Sequence, residues 1–157
     1  MKFGKFIACA MLGLLALTQA FAQKQDLVDT ALATQKFNLF MSLAGDAGII
    51  FDLKNPGPFT LLIPTDTAIN SKYTKSQLDA LRANPTRLKE ILMHHVLRGN
   101  IDAVTAVKMK TLHPLTGRPI MTSVVDGHGV IGGAHFVITN VSTTNGTIHG
   151  IDMVLVP

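Results

Sequence analysis

Hydrophobic positions recur with a helical period through the first half of the chain. From Asp26 to Ala33, Leu27, Val28, Ala31 and Leu32 fall at i, i+1, i+4 and i+5, a single apolar stripe. Phe37, Phe40, Met41 and Ala44 carry a second helical segment, with Gly45 and Gly48 marking its end. Asn55-Pro56-Gly57-Pro58 is a turn signal that neither a helix nor a central strand tolerates. The apolar run Phe59–Ile63 that follows reads as a short buried strand. Thr74 and Gln77 have the spacing of a capping box, and Asn84-Pro85 that of an N-cap followed by proline in the first turn. Beyond Pro85, the residues Leu88, Ile91, Leu92, His95 and Val96 line one face, which predicts a helix running to Gly99.

After about residue 100 the pattern changes to short alternating runs divided by tight turns. Asp126-Gly127, Gly132-Gly133 and Asn145-Gly146 are candidate two-residue turns in which glycine tolerates positive φ. They separate predicted strands at Ile120–Val125, Val130–Ile131, His135–Val141 and Thr147–Val156. Helices first and an antiparallel meander later predict an α+β domain rather than a doubly wound sheet.

The first residues read differently from the rest. Lys2 and Lys5 precede an apolar run from Phe6 to Leu17, and Ala20-Phe21-Ala22 places small residues where a signal peptidase cuts. The run is shorter than the roughly 20 residues a membrane-spanning helix needs. A secretory signal over 1–22, with cleavage before Gln23, is therefore expected, leaving one domain over 23–157. Cys9, the only cysteine, lies early in the apolar run and does not end it, which argues against lipid attachment; the exported domain then has no disulfide. Removing Lys2 and Lys5 lowers the basic count from 14 to 12 against 10 acidic residues, a net charge of +2. With one Tyr, no Trp and scattered basic residues, nucleic-acid binding has little support. No stable membrane insertion is expected once the signal is removed.

Six histidines (94, 95, 113, 128, 135 and 149) invite a metal hypothesis. His94 and His95 are adjacent and diverge by about 100° around a helix, whereas a helical metal pair wants a spacing of three or four. No metal site and no cofactor is expected. There is no nucleophile elbow, Glu90 is the only glutamate, and no glycine-rich loop joins a strand to a helix. These features argue against an enzyme.

Three segments, in order and in register, resemble the fasciclin (FAS1) domain family: Thr60–Ile69, an apolar strand running into Pro-Thr-Asp; Ile91–Asn100, with its His-His-Val and glycine; and Thr144–Pro157, with Asn-Gly, Ile-His and Ile-Asp. The resemblance covers essentially all of 23–157. It implies a FAS1-like fold, antiparallel β-sheets in a wedge or sandwich with several helices packed around them. Pro64, Thr65, Asp66, His95, Asn145, Gly146 and His149 are the structural motif positions. On this reading Pro64 stops the strand, and Thr65 or Asp66 caps the next helix. His95 turns into the core, toward Thr65, Asp66 or a nearby backbone group of the first segment. His149 can face either way. His94 stands where the family usually has Tyr, Asp66 where Asn is common and Ile69 where Phe is common. His94 and Asp152 are the candidate binding residues, since the family's corresponding segments are associated with receptor binding. The resemblance implies a non-catalytic secreted or periplasmic interaction module, active in cell adhesion or in binding a cell-surface or matrix protein or polysaccharide, with self-association a further expectation. The alternative is a small-ligand carrier of the cell envelope, holding an apolar molecule or metal between helices and sheet.

Overall fold

A computed structural model describes Lys24–Pro157; the expected signal segment and Cys9 lie outside the described residues. Three helices come first, α1 (Leu27–Ala33), α2 (Asn38–Asp46) and α3 (Ile50–Lys54), followed by strand β1 (Phe59–Pro64). Three more follow, α4 (Asp66–Lys72), α5 (Lys75–Arg82) and α6 (Pro85–Met93), then β2 (Val96–Arg98) and α7 (Ala103–Lys108). The chain ends in β3 (Thr111–Leu112), β4 (Ile120–Val125), β5 (His128–Ile131), β6 (Ala134–Ser142) and β7 (Gly146–Ile151). The fold is α+β, as the sequence predicts.

Local chemistry explains most helix boundaries. Asp26, Thr65, Thr74, Asn84 and Asp102 each accept a backbone N–H at the start of a helix, and Thr74 with Gln77 closes a full capping box. Gly48, at φ +71°, follows α2 while the Gly48 and Ile49 N–H groups donate back to Gly45 and Ala44. That is a Schellman ending, and the left-handed conformation is why glycine stands there.

All seven strands form one sheet in the order β2-β1-β7-β6-β5-β4-β3. Every pairing is antiparallel except β1 with β7, which run parallel from Phe59↔Gly146 to Pro64↔Ile151. The two outer strands approach each other. Leu97 bridges Pro114, and Leu115 N–H donates to Val96 O, so the sheet curls almost onto itself and leaves little exposed edge.

Because β1 is central, both its faces are covered. Leu61 and Ile63 join the larger core formed with α1 to α6, while Leu62 joins a second core with Leu97, Leu112, Ile131 and Ile151. This two-sided burial is why Leu61, Leu62 and Ile63 are apolar in succession rather than alternating with polar residues.

Three expectations need correction. The helix predicted to reach Gly99 stops at Met93, and Val96–Arg98 is a strand paired with Phe59–Leu61. A buried His95-Val96-Leu97 suits either period, and pairing with β1 decides between them. The strand predicted to reach Val156 ends at Ile151. There the Asp152 carboxylate takes the His135 N–H at 2.7 Å and the Asp152 N–H donates to His135 O, which turns the chain off the sheet. Asn145-Gly146 is not a positive-φ turn, for neither residue has positive φ. Glycine is required at 146 because an added Cβ would lie 2.0 Å from Phe59 O, at the start of the parallel pairing.

Candidate functional site

The motif polar groups are turned inward and paired. Thr65 caps α4 through Ala68 N–H, as expected. Asp66 instead reaches across to α2, where its carboxylate accepts the Leu39 N–H at 2.8 Å. Asn145 joins three segments. Its Oδ1 accepts the Leu27 N–H at the start of α1, and its Nδ2 donates to Leu53 O and Asn55 O at the end of α3.

His95 is fully buried, but its partners differ from those expected. Its Nε2 accepts the Leu155 N–H at 3.0 Å, so Nδ1 carries the proton and donates to Ile91 O at 2.8 Å. It thus ties the last segment, not the first, to the end of α6. Burial depresses its pKa to about 4. His149 faces inward too: Nδ1 accepts the Asn140 N–H and Nε2–H donates to Ile101 O at 2.7 Å. Its pKa is also lowered, chiefly by burial. Both rings are neutral structural connectors.

His94 and Asp152 part company. Asp152 is exposed, but its carboxylate anchors the end of the sheet through His135. His94 is buried at the foot of an open cleft of about 440 Å³ whose walls include Lys72, Arg118, Val154 and Pro157. Its Nδ1–H donates to Thr116 O at 2.9 Å. Nε2 makes no hydrogen bond among the described residues, yet no buried side-chain N or O there is left unpartnered. That nitrogen therefore meets solvent in the cleft. Lys72 and Arg118 are exposed and in no ion pair among the described residues, and no carboxylate side chain lines the walls.

Sequence reasoning singled out His94 and missed Lys72 and Arg118. They lie on separate elements, and no local pattern announces their meeting. A second surface feature was also missed: a groove of about 400 Å³ under α7, lined by Val104, Val107, Val124 and Phe136. Val104 and Val124 are 60% and 61% exposed beside it, and Gly129 keeps it open, since a Cβ there would strike Val107 and Phe136. The cavity inside the helical core beside Phe40 and His95 is only about 20 Å³, room for about one water. Among the described residues no three of His, Cys, Asp and Glu cluster as metal ligands would, and no helix is long and apolar enough to cross a membrane.

Comparison with known proteins gives a consistent pattern. The family model of the fasciclin domain matches residues 35–157. The chain is 30% identical over 130 residues to protein sll1735 of Synechocystis sp., covering 83% of this chain and 96% of that one. It is 33% identical over 108 residues to the immunogenic protein MPB70 of Mycobacterium bovis, covering 69% of this chain but 54% of that one. In three dimensions it is similar to a FAS1 domain pair from the insect cell adhesion molecule fasciclin I, with a TM-score of 0.69 at 18% identity. That match covers 86% of this chain and 52% of the other.

Proposed function

Because the chain belongs to the fasciclin domain family, we propose that it is an exported, non-catalytic interaction module that holds a cell-surface or matrix component outside the cytoplasm. The observation that supports this reading most is how the motif residues are used. His95, His149, Asn145 and Asp66 spend their polar atoms on bonds that join elements, and Thr65 spends its hydroxyl on the cap of α4. No nucleophile is left beside a base among them, so they serve the fold, and recognition falls to the open surface.

Of the two residues singled out in the sequence, His94 keeps one ring nitrogen open to a cleft while Asp152 is committed to the sheet. Recognition is accordingly placed at the His94 cleft. The lysine and arginine on its walls make an acidic partner the natural one. For the alternative, a carrier of apolar cargo, the outer groove under α7 is the apolar space that fits, whereas the cavity beside Phe40 and His95 holds about one water. The export reading rests on residues 1–22 as a signal segment.

Cosedimentation of the 23–157 domain with cells of its source and with their extracted polysaccharide, across a salt series, tests the proposal. Saturable retention that weakens as salt rises is expected, since the contact is charged. A domain that washes off every surface at every salt defeats the adhesion reading. Native mass spectrometry of freshly isolated protein would then decide for a carrier if a small molecule is retained, and against it if the mass is bare.

A further inference from the structure

The His94 cleft combines features that together select a narrow class of ligand. Lys72, at the end of α4, and Arg118, on the segment between β3 and β4, are cations without partners among the described residues. The wall side chains supply two cations and no carboxylate, a positive excess that the terminal carboxylate of Pro157 halves without cancelling. This favours an anion, and a guanidinium matches the geometry of a carboxylate better than a point charge does. Charge alone would accept any anion. His94 adds a second requirement.

The His94 Nδ1–H is committed to Thr116 O, so in the neutral ring the open Nε2 presents a lone pair and no proton. A lone pair repels a carboxylate but accepts from a hydroxyl. The ligand that satisfies all three groups carries a carboxylate and a hydroxyl on one small frame. The remaining walls, Val154 and the two prolines at 119 and 157, are apolar and suit the C–H face of a ring. A volume of about 440 Å³ lies within the ~300–1,000 Å³ range of small-ligand sites and admits a short stretch of polymer, not a folded partner.

We infer that the His94–Lys72–Arg118 cleft binds an acidic sugar: a uronate whose carboxylate meets Arg118 and Lys72 while a ring hydroxyl donates to His94 Nε2. The inference deepens the interaction-module reading by naming its ligand. The same chemistry is offered by a free sugar acid and by a unit of an acidic polysaccharide. Gly117 supports the arrangement. At φ +85°, it passes so close that an added Cβ would lie 2.5 Å from His94 Nδ1 and 2.7 Å from Pro157 Cβ, so the loop can sit tightly against the ring.

Two-dimensional NMR of the ¹⁵N-labelled 23–157 domain, titrated at neutral pH, tests the inference. Four additions are compared: glucuronate, a galacturonate oligomer, glucose and acetate. Saturable shifts at residues 94, 118 and 154–156 are expected with glucuronate. The neutral sugar and the carboxylate without a hydroxyl should each bind about tenfold or more weakly. Tighter binding of the oligomer would identify a polymer as the source, and equal binding the free acid. Lys72→Ala and Arg118→Ala are exposed substitutions that leave the core intact, and each should raise Kd several-fold. Acetate binding as well as glucuronate, shifts that map elsewhere, or variants that bind like the parent would each overturn the inference. Retention on cells that survives both substitutions overturns the cleft while sparing the interaction module. Glucuronate binding without retention on cells does the reverse.

Discussion

At the scale of single residues, the histidines show how burial converts a titratable group into a structural one. His95 must stay neutral to accept the Leu155 N–H, and burial pulls its pKa from 6.5 to about 4. Between those values the unfolded chain binds a proton that the folded chain refuses. Stability from this site is therefore fully present above about pH 6.5 and declines as pH falls toward 4, by roughly 3 kcal/mol in all. His149 is shifted in the same direction and adds to the slope. Urea unfolding measured from pH 7 to pH 4 should show this loss. His95→Leu should flatten the slope and lower stability at pH 7 by about 1–3 kcal/mol, the cost of leaving the Leu155 N–H unpaired. An unchanged slope in the variant would assign the acid sensitivity elsewhere. That His95 points inward was legible from its place on an apolar stripe. Its partner was not, because the last segment meets it only in the folded chain.

At the scale of elements, the helical layer is held to the sheet by a few side chains that each satisfy another element's free backbone ends. Asn145 is the clearest, accepting from the first turn of α1 and donating to the carbonyls that close α3. Asn145→Ala removes all of these bonds and should cost about 2–3 kcal/mol in urea unfolding. Asn145→Asp keeps the acceptor and loses the donor, so it should fall between. A cost below about 0.5 kcal/mol for alanine would mean that water replaces the bonds without penalty. Helices with a complete local signal, such as the Thr74 capping box, were readable from sequence. α3, α7 and β3 were not. Each is short, at five, six and two residues, and too brief to show a period. The segment Val96–Arg98 satisfied the helical stripe and became a strand because β1 offered it a partner.

At the scale of the whole molecule, the parallel pairing of β1 with β7 makes one cooperative unit of two parts that are separate in sequence. It joins the helical first half to the meander, and β1 feeds both cores, Leu61 and Ile63 on one face and Leu62 on the other. Tyr73, packed against the helical core, is the only tyrosine in a chain without tryptophan, so its fluorescence reports that side. Leu62→Ala empties the opposite core and should cost about 2–5 kcal/mol. The unfolding midpoint should drop equally by Tyr73 fluorescence and by far-UV circular dichroism. Separated transitions would show that the two cores unfold independently.

The sequence by itself determined the class of fold, the caps and turns that start and stop most elements, and the family, because these rest on near neighbours: a threonine three residues from a glutamine, a proline after an asparagine, or an apolar period. Tertiary structure alone decided that the first and last strands lie side by side, that Gly146 is needed for closeness rather than for a turn, and that Asp66 caps a distant helix. It alone brought Lys72 and Arg118 beside His94. Hydrogen bonds and charges act over a few ångströms of space, and spacing along the chain reports that distance only within one turn or one hairpin.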